Sequence, residues 1–340
     1  MSCQVVRQVS FVLLTVLMAS CASSRRGEVS EIRITRGAGG VGFLPLMAME
    51  KYRLVEKHAA MAGVKGLRVH WIDIGGPAVV NDALLSGSAD FIAAGPPAFL
   101  TLWDKTLTST KVNGVAAISS IPMYLNTRAE HMKQLSDIRV DDRIAVTAIK
   151  VSIPAIILQM YAADRYGVSE APHFDPFTIA MTHPDGVLAL LSGANAIDAH
   201  FTSPPFHQRE LKDPSVRTVL NSDEVLGGPA TFTMLSTSTA FRDHNPKVYA
   251  TVFAALQEAI QMMNTDKYQA AKLLFDAMNG GGFTVREMQQ ILMDPAIRFT
   301  TTPENMMKYA SFMHDIGSIK NVPASWKDLF FPEVQSAPGS

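Results

Sequence analysis

Leu84-Leu85-Ser86-Gly87-Ser88-Ala89-Asp90, running on to Gly95-Pro96-Pro97, has a counterpart in the second half of the chain. There Leu190-Leu191-Ser192-Gly193-Ala194-Asn195-Ala196-Ile197-Asp198 runs on to Ser203-Pro204-Pro205. In both places an apolar helical pattern stops at a Leu-Leu-Ser-Gly turn, an acidic residue accompanies a short apolar strand, and a Pro-Pro turn ends it. A construction used twice predicts two similar α/β lobes.

The surrounding sequence fits that reading. Glu31–Thr35 reads as a strand, Gly37 to Gly42 as a tight turn, and Phe43 to Lys57 as a helix with Pro45 in its first turn. Leu67–Asp73 is a second strand, and Gly75-Gly76-Pro77 opens a helix whose Val79, Val80, Ala83 and Leu84 keep a 3.6-residue period. Ala89–Ala94 and Val115–Ser119 are further strands, with a helix from Ala98 to Lys105 between them. Alternating strands and helices with Gly/Pro turns predict an α/β domain with a mainly parallel sheet. The pattern restarts after Pro122: strands at Arg143–Thr147, Phe177–Met181, Ala196–Phe201 and Val216–Leu220, and helices beginning at Ser152-Ile153-Pro154 and at Pro184-Asp185. Thr231–Thr237 reads as a strand returning to the first lobe. Four helical patterns follow, at Asn245–Asn264, Lys267–Met278, Thr284–Leu292 and Pro303–Ile316, their methionines expected to fill core gaps.

Composition narrows the function. A chain of 340 residues exceeds the usual single core, so two domains are expected. Apolar residues are 47% and charged residues 18%, which excludes a disordered chain. Thirty basic against 31 acidic side chains leave a net charge of −1 and no footprint for nucleic acid. Two cysteines, Cys3 and Cys21, exclude a disulfide scaffold and a four-Cys zinc site. Arg7, the apolar run Val9–Met18 and Ala19-Ser20-Cys21 have the layout of an export signal over residues 1–20, too short to span a bilayer. Met18-Ala19-Ser20-Cys21 is similar to a bacterial lipobox, with Met18 where Leu is usual, and implies lipidation at Cys21.

Other motifs bear on chemistry. Gly37-x-Gly39-x-x-Gly42 between strand and helix matches the dinucleotide fingerprint, but its acidic partner should come about twenty residues on, and Asp73 comes later than that. Backbone N–H groups gathered at a helix start to hold some other group are the favoured reading. No His pair brackets a Glu at metalloprotease spacing. His183 and Asp185 could be a base and its orienter, though no nucleophile motif accompanies them, and His200 reads as a satisfied core histidine.

Taken together, the chain resembles the bacterial nitrate/sulfonate/taurine-binding family of ABC-importer solute-binding proteins, which is related to thiamine-pyrimidine synthases. The resemblance runs from about Ile32 to Lys272: the first strand and glycine turn, Gly75 to Asp90, Gly95-Pro96-Pro97, Asp185 to Gly193, Asp198 to Pro205, and Phe241 to Pro246 before a long helix. It implies a type II periplasmic-binding-protein fold, two α/β lobes joined by a two-strand hinge, a ligand captured between them, and an ABC permease in the inner membrane as partner. Where relatives often carry Trp-Glu-Pro, this chain has Thr202-Ser203-Pro204, which speaks against an amine such as taurine. Lobe I is expected over residues 28–119 and 229–335, lobe II over 123–222, and a flexible tail over 336–340. The crossings are expected near Ser119–Met123 and Asn221–Gly228.

The expected ligand is a small organic anion at the carboxyl ends of the strands. Four strand ends that run into helices supply donors: Gly39-Gly40, Gly76-Pro77, Gly95-Pro96 and Val151-Ser152. Thr202 and Ser203 are expected to add hydroxyls and Arg36 a positive charge, while Pro97, Ile121, Pro122 and Ile153 suit an alkyl or aryl tail. A non-catalytic, cofactor-free monomer is expected in the periplasm. The alternatives are an enzyme on the same fold, pyrimidine-synthase-like, or a dinucleotide-binding oxidoreductase.

Overall fold

The computed structural model describes residues 27–340 apart from 75 and 194–195, and not the side chains of 77 and 78. Residues 1–20, expected to be an export signal, and Cys21 and Gly75 therefore lie outside the described residues. Eleven strands are described: β1 Glu31–Thr35, β2 Arg68–Ile72, β3 Ile92–Ala94, β4 Val112–Ser120, β5 Tyr124–Thr127, β6 Ile144–Val146, β7 Thr178–Ala180, β8 Ala199–Thr202, β9 Arg217–Asn221, β10 Thr231–Ser238 and β11 Arg298–Phe299. The helices of the first half are α1 Leu44–Lys51, α2 Leu54–Met61, α3 Pro77–Leu85, α4 Pro96–Thr106, α5 Ile153–Tyr166 and α6 His183–Leu191. Those of the second half are α7 Phe206–Glu210, α8 Ser222–Leu226, α9 Thr239–His244, α10 Pro246–Thr265, α11 Lys267–Ala277, α12 Val285–Leu292 and α13 Met306–Asp315.

The strands form two separate bodies of sheet. Strands β11-β4-β10-β3 make one sheet, beside the parallel pair β1-β2, which joins it through a parallel bridge between Ile34 and Phe91. The second sheet has the order β7-β6-β8-β5-β9 and takes all its strands from residues 124–221. The expectation of a mainly parallel sheet is corrected here. Pairs β6/β7 and β6/β8 are parallel, but β5 pairs antiparallel with β8 and β9, and β10 antiparallel with β3 and β4. The cause is connectivity: β4 runs out of the first sheet and β10 runs back into it, so the two lie side by side in opposite directions.

The two connections between the sheets are adjacent. Thr231 stands opposite Ser120 in the first sheet and Tyr124 opposite Asn221 in the second. Between them, the Met123 N–H donates to the Ser222 hydroxyl at 2.9 Å and the Ser222 N–H to the Met123 carbonyl at 2.9 Å. β4 is buried along its length and β10 from Thr231 to Thr237, so this sheet is the spine of the larger apolar core, with a smaller cluster around Ala145, Leu190, Ile197 and Val216 in the second half.

Local differences from the sequence reading have local causes. The single helix expected from Phe43 to Lys57 is two, because Arg53 at φ 51° interrupts it. Four methionines of the last helices are buried, Met263, Met288, Met306 and Met313, but Met262, Met278 and Met307 are half-buried and Met293 is exposed. The tail expected to be loose is tied down. The Met306 N–H donates to the Ser340 carbonyl at 2.7 Å, the Ser340 N–H to the Pro303 carbonyl at 3.1 Å, and Gly339 rests on Trp326.

Candidate functional site

A cavity of about 340 Å³ opens between the two sheets' outer ends. One wall is Gly37, Ala38, Phe43, Ile74, Gly76, Val80, Ala93, Ala94, Gly95, Pro97, Ala98 and Phe232; the other is Met123, Thr147, Val151, Ser152, Ile153, Pro154, Thr182, His183 and Pro184. None of these side chains is an acid, a lysine or an arginine. The polar contribution comes instead from Thr147, Ser152, Thr182, His183 and the backbone.

Four helix N-termini meet here: α3 capped by Gly76, α4 by Gly95, α5 by Ser152 and α6 by Thr182. Each carries roughly half a positive charge and unpaired N–H groups in its first turn. Each also has proline in that turn, which fits the fixed φ but removes donors. The caps take more: the Ser152 hydroxyl accepts from the Ala155 N–H and the Thr182 hydroxyl from the Asp185 N–H. The N–H groups of Ala98, Ile153 and His183 are left without a partner among the described residues.

Among the described residues His183 is the one titratable side chain at the wall, and it begins a buried chain of contacts. Its Nδ1 lies 3.3 Å from His200 Nε2 and 3.2 Å from the Thr202 hydroxyl, and its ring stacks on Phe206. His200 Nδ1 lies 2.5 Å from Glu210 Oε1, both side chains fully buried. Glu210 Oε2 accepts from Asn126 Nδ2 at 2.8 Å, and Asn126 Oδ1 meets the Thr218 hydroxyl at 2.8 Å and His207 Nδ1 at 3.2 Å. Burial disfavours charge throughout this chain. It pushes Glu210 up to about 8 against the opposing Asn126 bond, and His183 down to about 3, assisted by His200. It lowers His200 likewise, and His207 to about 4 against the pull of Asp294.

Of the residues expected at the site, Gly76, Gly95, Val151 and Ser152 line the cavity, as do Pro97 and Ile153. The others stand elsewhere. Arg36 is held by Glu50 at 2.6 Å and Asp73 at 2.5 Å, which raises its pKa further, and with Gly39 it lines a separate groove. A guanidinium between two carboxylates is spent on them. Gly40, at φ 77°, is pressed against the Phe206 ring, and the next N–H, of Val41, donates to the Pro204 carbonyl at 3.3 Å. The glycine turn thus serves as a close contact with the Pro-Pro turn of the other half, and Asp73 answers Arg36 rather than a ribose. Pro96 caps nothing but starts α4 behind Pro97, and Ile121 is buried in the connection with Met123 facing the cavity in its place. Thr202 and Ser203 are buried behind the wall, Thr202 supporting His183. Nothing is described for the Pro77 side chain. Asp185 takes the Thr182 hydroxyl at 2.6 Å instead of orienting His183.

Thr182-His183-Pro184 and Phe232 stand at the wall without having been expected there, as do Met123 and Thr147. Thr182-His183-Pro184 carried a visible signal, a capping threonine with proline in the first turn, the same grammar as Ser152-Ile153-Pro154. Phe232 carried none, since its place depends on β10 returning from the other half.

No protein-family model matches the chain, and no curated protein matches it in sequence. Solved structures do match in shape. The alkanesulfonate-binding protein SsuA from Xanthomonas axonopodis pv. citri, bound to MOPS, superposes with a TM-score of 0.62 at 16% identity, over 85% of this chain and 94% of that one. The periplasmic nitrate-binding protein NrtA from Synechocystis PCC 6803 gives 0.62 at 14% identity, over 88% and 84%. A Candida albicans protein with the generic periplasmic binding protein fold gives 0.66 at 11% identity, over 90% and 96%. All three superpose over more than four fifths of this chain, and the chain has the periplasmic binding protein fold.

Proposed function

We propose that this chain is the extracytoplasmic solute-binding component of an ABC importer, taking a small sulfonate-like organic anion between its lobes without chemical change and passing it to a membrane permease. The observation that carries the reading is the convergence of four helix N-termini, two from each side, on an apolar cavity without a charged side chain. Helix N-termini favour an anion where a lysine is absent, and Phe43, Phe232, Ile153 and Val80 suit an alkyl or aryl tail. Nitrate offers nothing to those walls. Binding proteins for alkanesulfonate and nitrate share the fold, which agrees with an anion in this position. In this reading the lobes are residues 28–119 with 229–335, and 123–222, closing about the paired connections when ligand touches both.

Isothermal titration with hexane-1-sulfonate, MOPS, alkyl carboxylates, nitrate and a neutral pyrimidine tests the ligand class. Micromolar binding of a tailed sulfonate, with a smaller radius of gyration by scattering, is expected. Binding of the pyrimidine alone would refute the anion. The export segment and Cys21 belong to the same proposal: the protein should fractionate with membranes and Cys21→Ser should be released. A Cys21→Ser protein that stays in the membrane fraction would refute the lipid anchor.

A further inference from the structure

The cavity's one histidine is wired to a carboxyl group that no ligand can reach. From His183 at the wall, the contacts pass through His200 to Glu210 without interruption, over 3.3 and 2.5 Å. Both inner side chains are fully buried. With Nδ1 of His183 turned inward to His200 and Thr202, Nε2 is the ring nitrogen left for an occupant of the cavity.

We propose that His183 Nε2 binds the ligand's charged head, and that the proton on Glu210 decides whether this nitrogen donates or accepts, so that anion capture is linked to one proton held on the buried Glu210–His200–His183 chain. This rests on the anion reading above and names the group that enforces it. The argument is one of hydrogen-bond direction. A neutral imidazole carries one N–H and one lone pair. When Glu210 is protonated, its O–H donates to His200 Nδ1, so His200 donates from Nε2 to His183 Nδ1, and His183 presents Nε2–H to the cavity. When Glu210 is ionised, His200 Nδ1–H must donate to the carboxylate. Its Nε2 then accepts from His183 Nδ1–H, and His183 presents a bare lone pair. The first arrangement welcomes an anion; the second repels it and carries a buried negative charge besides.

The remaining neighbours are consistent with this polarity and do not supply a compensating charge. Asn126 of β5 donates to Glu210 Oε2, and its Oδ1 is fixed as the acceptor by the Thr218 hydroxyl of β9. His207, on the same helix as Glu210, meets that Oδ1 and stacks on Tyr124 of β5. Asp294, beyond α12, acts on His207 and Tyr124, and Asp223 on Tyr124. Asp185 of α6 is exposed and engaged by Thr182. Among the described residues no lysine or arginine pairs with Glu210, and its high pKa keeps it protonated at neutral pH.

Two measurements test the proposal. Hexane-1-sulfonate does not titrate over the range, so its Kd reports the protein alone. It should be flat between pH 6 and 7 and rise by about tenfold per pH unit above about 8, one proton being taken up with the anion there. Glu210→Gln can donate its amide N–H to His200 as the protonated acid does, and should abolish that rise. A Kd that is level from pH 6 to 10 in the unsubstituted protein, or a rise that survives in Glu210→Gln, overturns the linkage. Nitrogen-15 shifts of the histidines in ligand-free protein judge the wiring independently of any ligand and of any variant's folding. His183 should pass from the Nε2–H to the Nδ1–H tautomer as pH rises through the same range; one tautomer throughout overturns the proposal. If no sulfonate binds at any pH, the anion reading fails, and the tautomer measurement still decides the relay.

Discussion

Gly95 shows how little room one residue leaves. Its φ of −79° suits any residue, so the reason for glycine is space. A Cβ there would stand 2.8 Å from Ile153 Cδ1, across the cavity, and 3.2 Å from the Phe232 carbonyl oxygen. Gly95→Ala should therefore wedge the two walls apart where a ligand needs them close. We expect about tenfold weaker sulfonate binding, or about 1.4 kcal/mol, with the thermal midpoint of the ligand-free protein nearly unchanged. Titration calorimetry and thermal unfolding read the two halves of that statement, and undiminished affinity would contradict it. Gly186 does similar duty in the interior: a Cβ would lie 2.5 Å from His200 Nε2, so the His183–His200 contact exists because α6 carries no side chain at that point.

At the scale of elements, the repeated device is a helix that begins at the cavity with proline in its first turn. Proline lowers the entropy lost on folding but withholds an N–H. In α6, Pro184 stands between the His183 N–H and the Asp185 N–H already taken by Thr182. Pro184→Ala should present one more donor to the cavity. We expect anion affinity to rise about two- to fivefold, the usual worth of a charge at a helix N-terminus, while stability drops by less than about 1 kcal/mol. Weaker binding in Pro184→Ala would mean that the α6 terminus does not face the ligand's charge.

At the scale of the molecule, the buried network makes stability depend on pH in two opposite ways. His183, His200 and His207 have folded-state pKa values below the ordinary 6.5, near 3, 3 and 4. The unfolded chain then binds more protons between those values and 6.5, so their contribution grows as pH rises through that window and is lost as pH falls. Glu210 is the reverse: raised from 4.5 to about 8, it holds its proton when folded, and its contribution declines as pH rises from about 4.5 to 8. Three rising terms outweigh one falling term up to about 6.5, after which only the fall remains. Denaturant unfolding should find a maximum near pH 6.5 and a decline toward 8 that Glu210→Gln removes. A stability curve flat from 6.5 to 8 would show that Glu210 is ionised throughout.

What the sequence determined by itself is what local chemistry can encode. Alternating apolar patterns, capping hydroxyls and Gly/Pro turns place β1, α3, α4, α5 and α10 within a few residues, and the repeated Leu-Leu-Ser-Gly turn announces two α/β halves. Three of the four helix starts at the cavity, at Gly76, Gly95 and Ser152, were legible for the same reason: a cap and a first-turn proline are neighbours in the chain. What only the tertiary structure decided is which of these groups face each other. Arg36 looks like a free cation at a strand end until Glu50 of α1 and Asp73, just past β2, are seen to claim it. His183, His200, Asn126, His207 and Glu210 come from four different elements, and their spacing in the sequence does not show that they meet. Their directions follow from burial, and burial depends on strands β4 and β10 passing each other between the halves. Hydrogen-bond direction in a dry interior is a property of the whole enclosure, so no single stretch of the chain could state it.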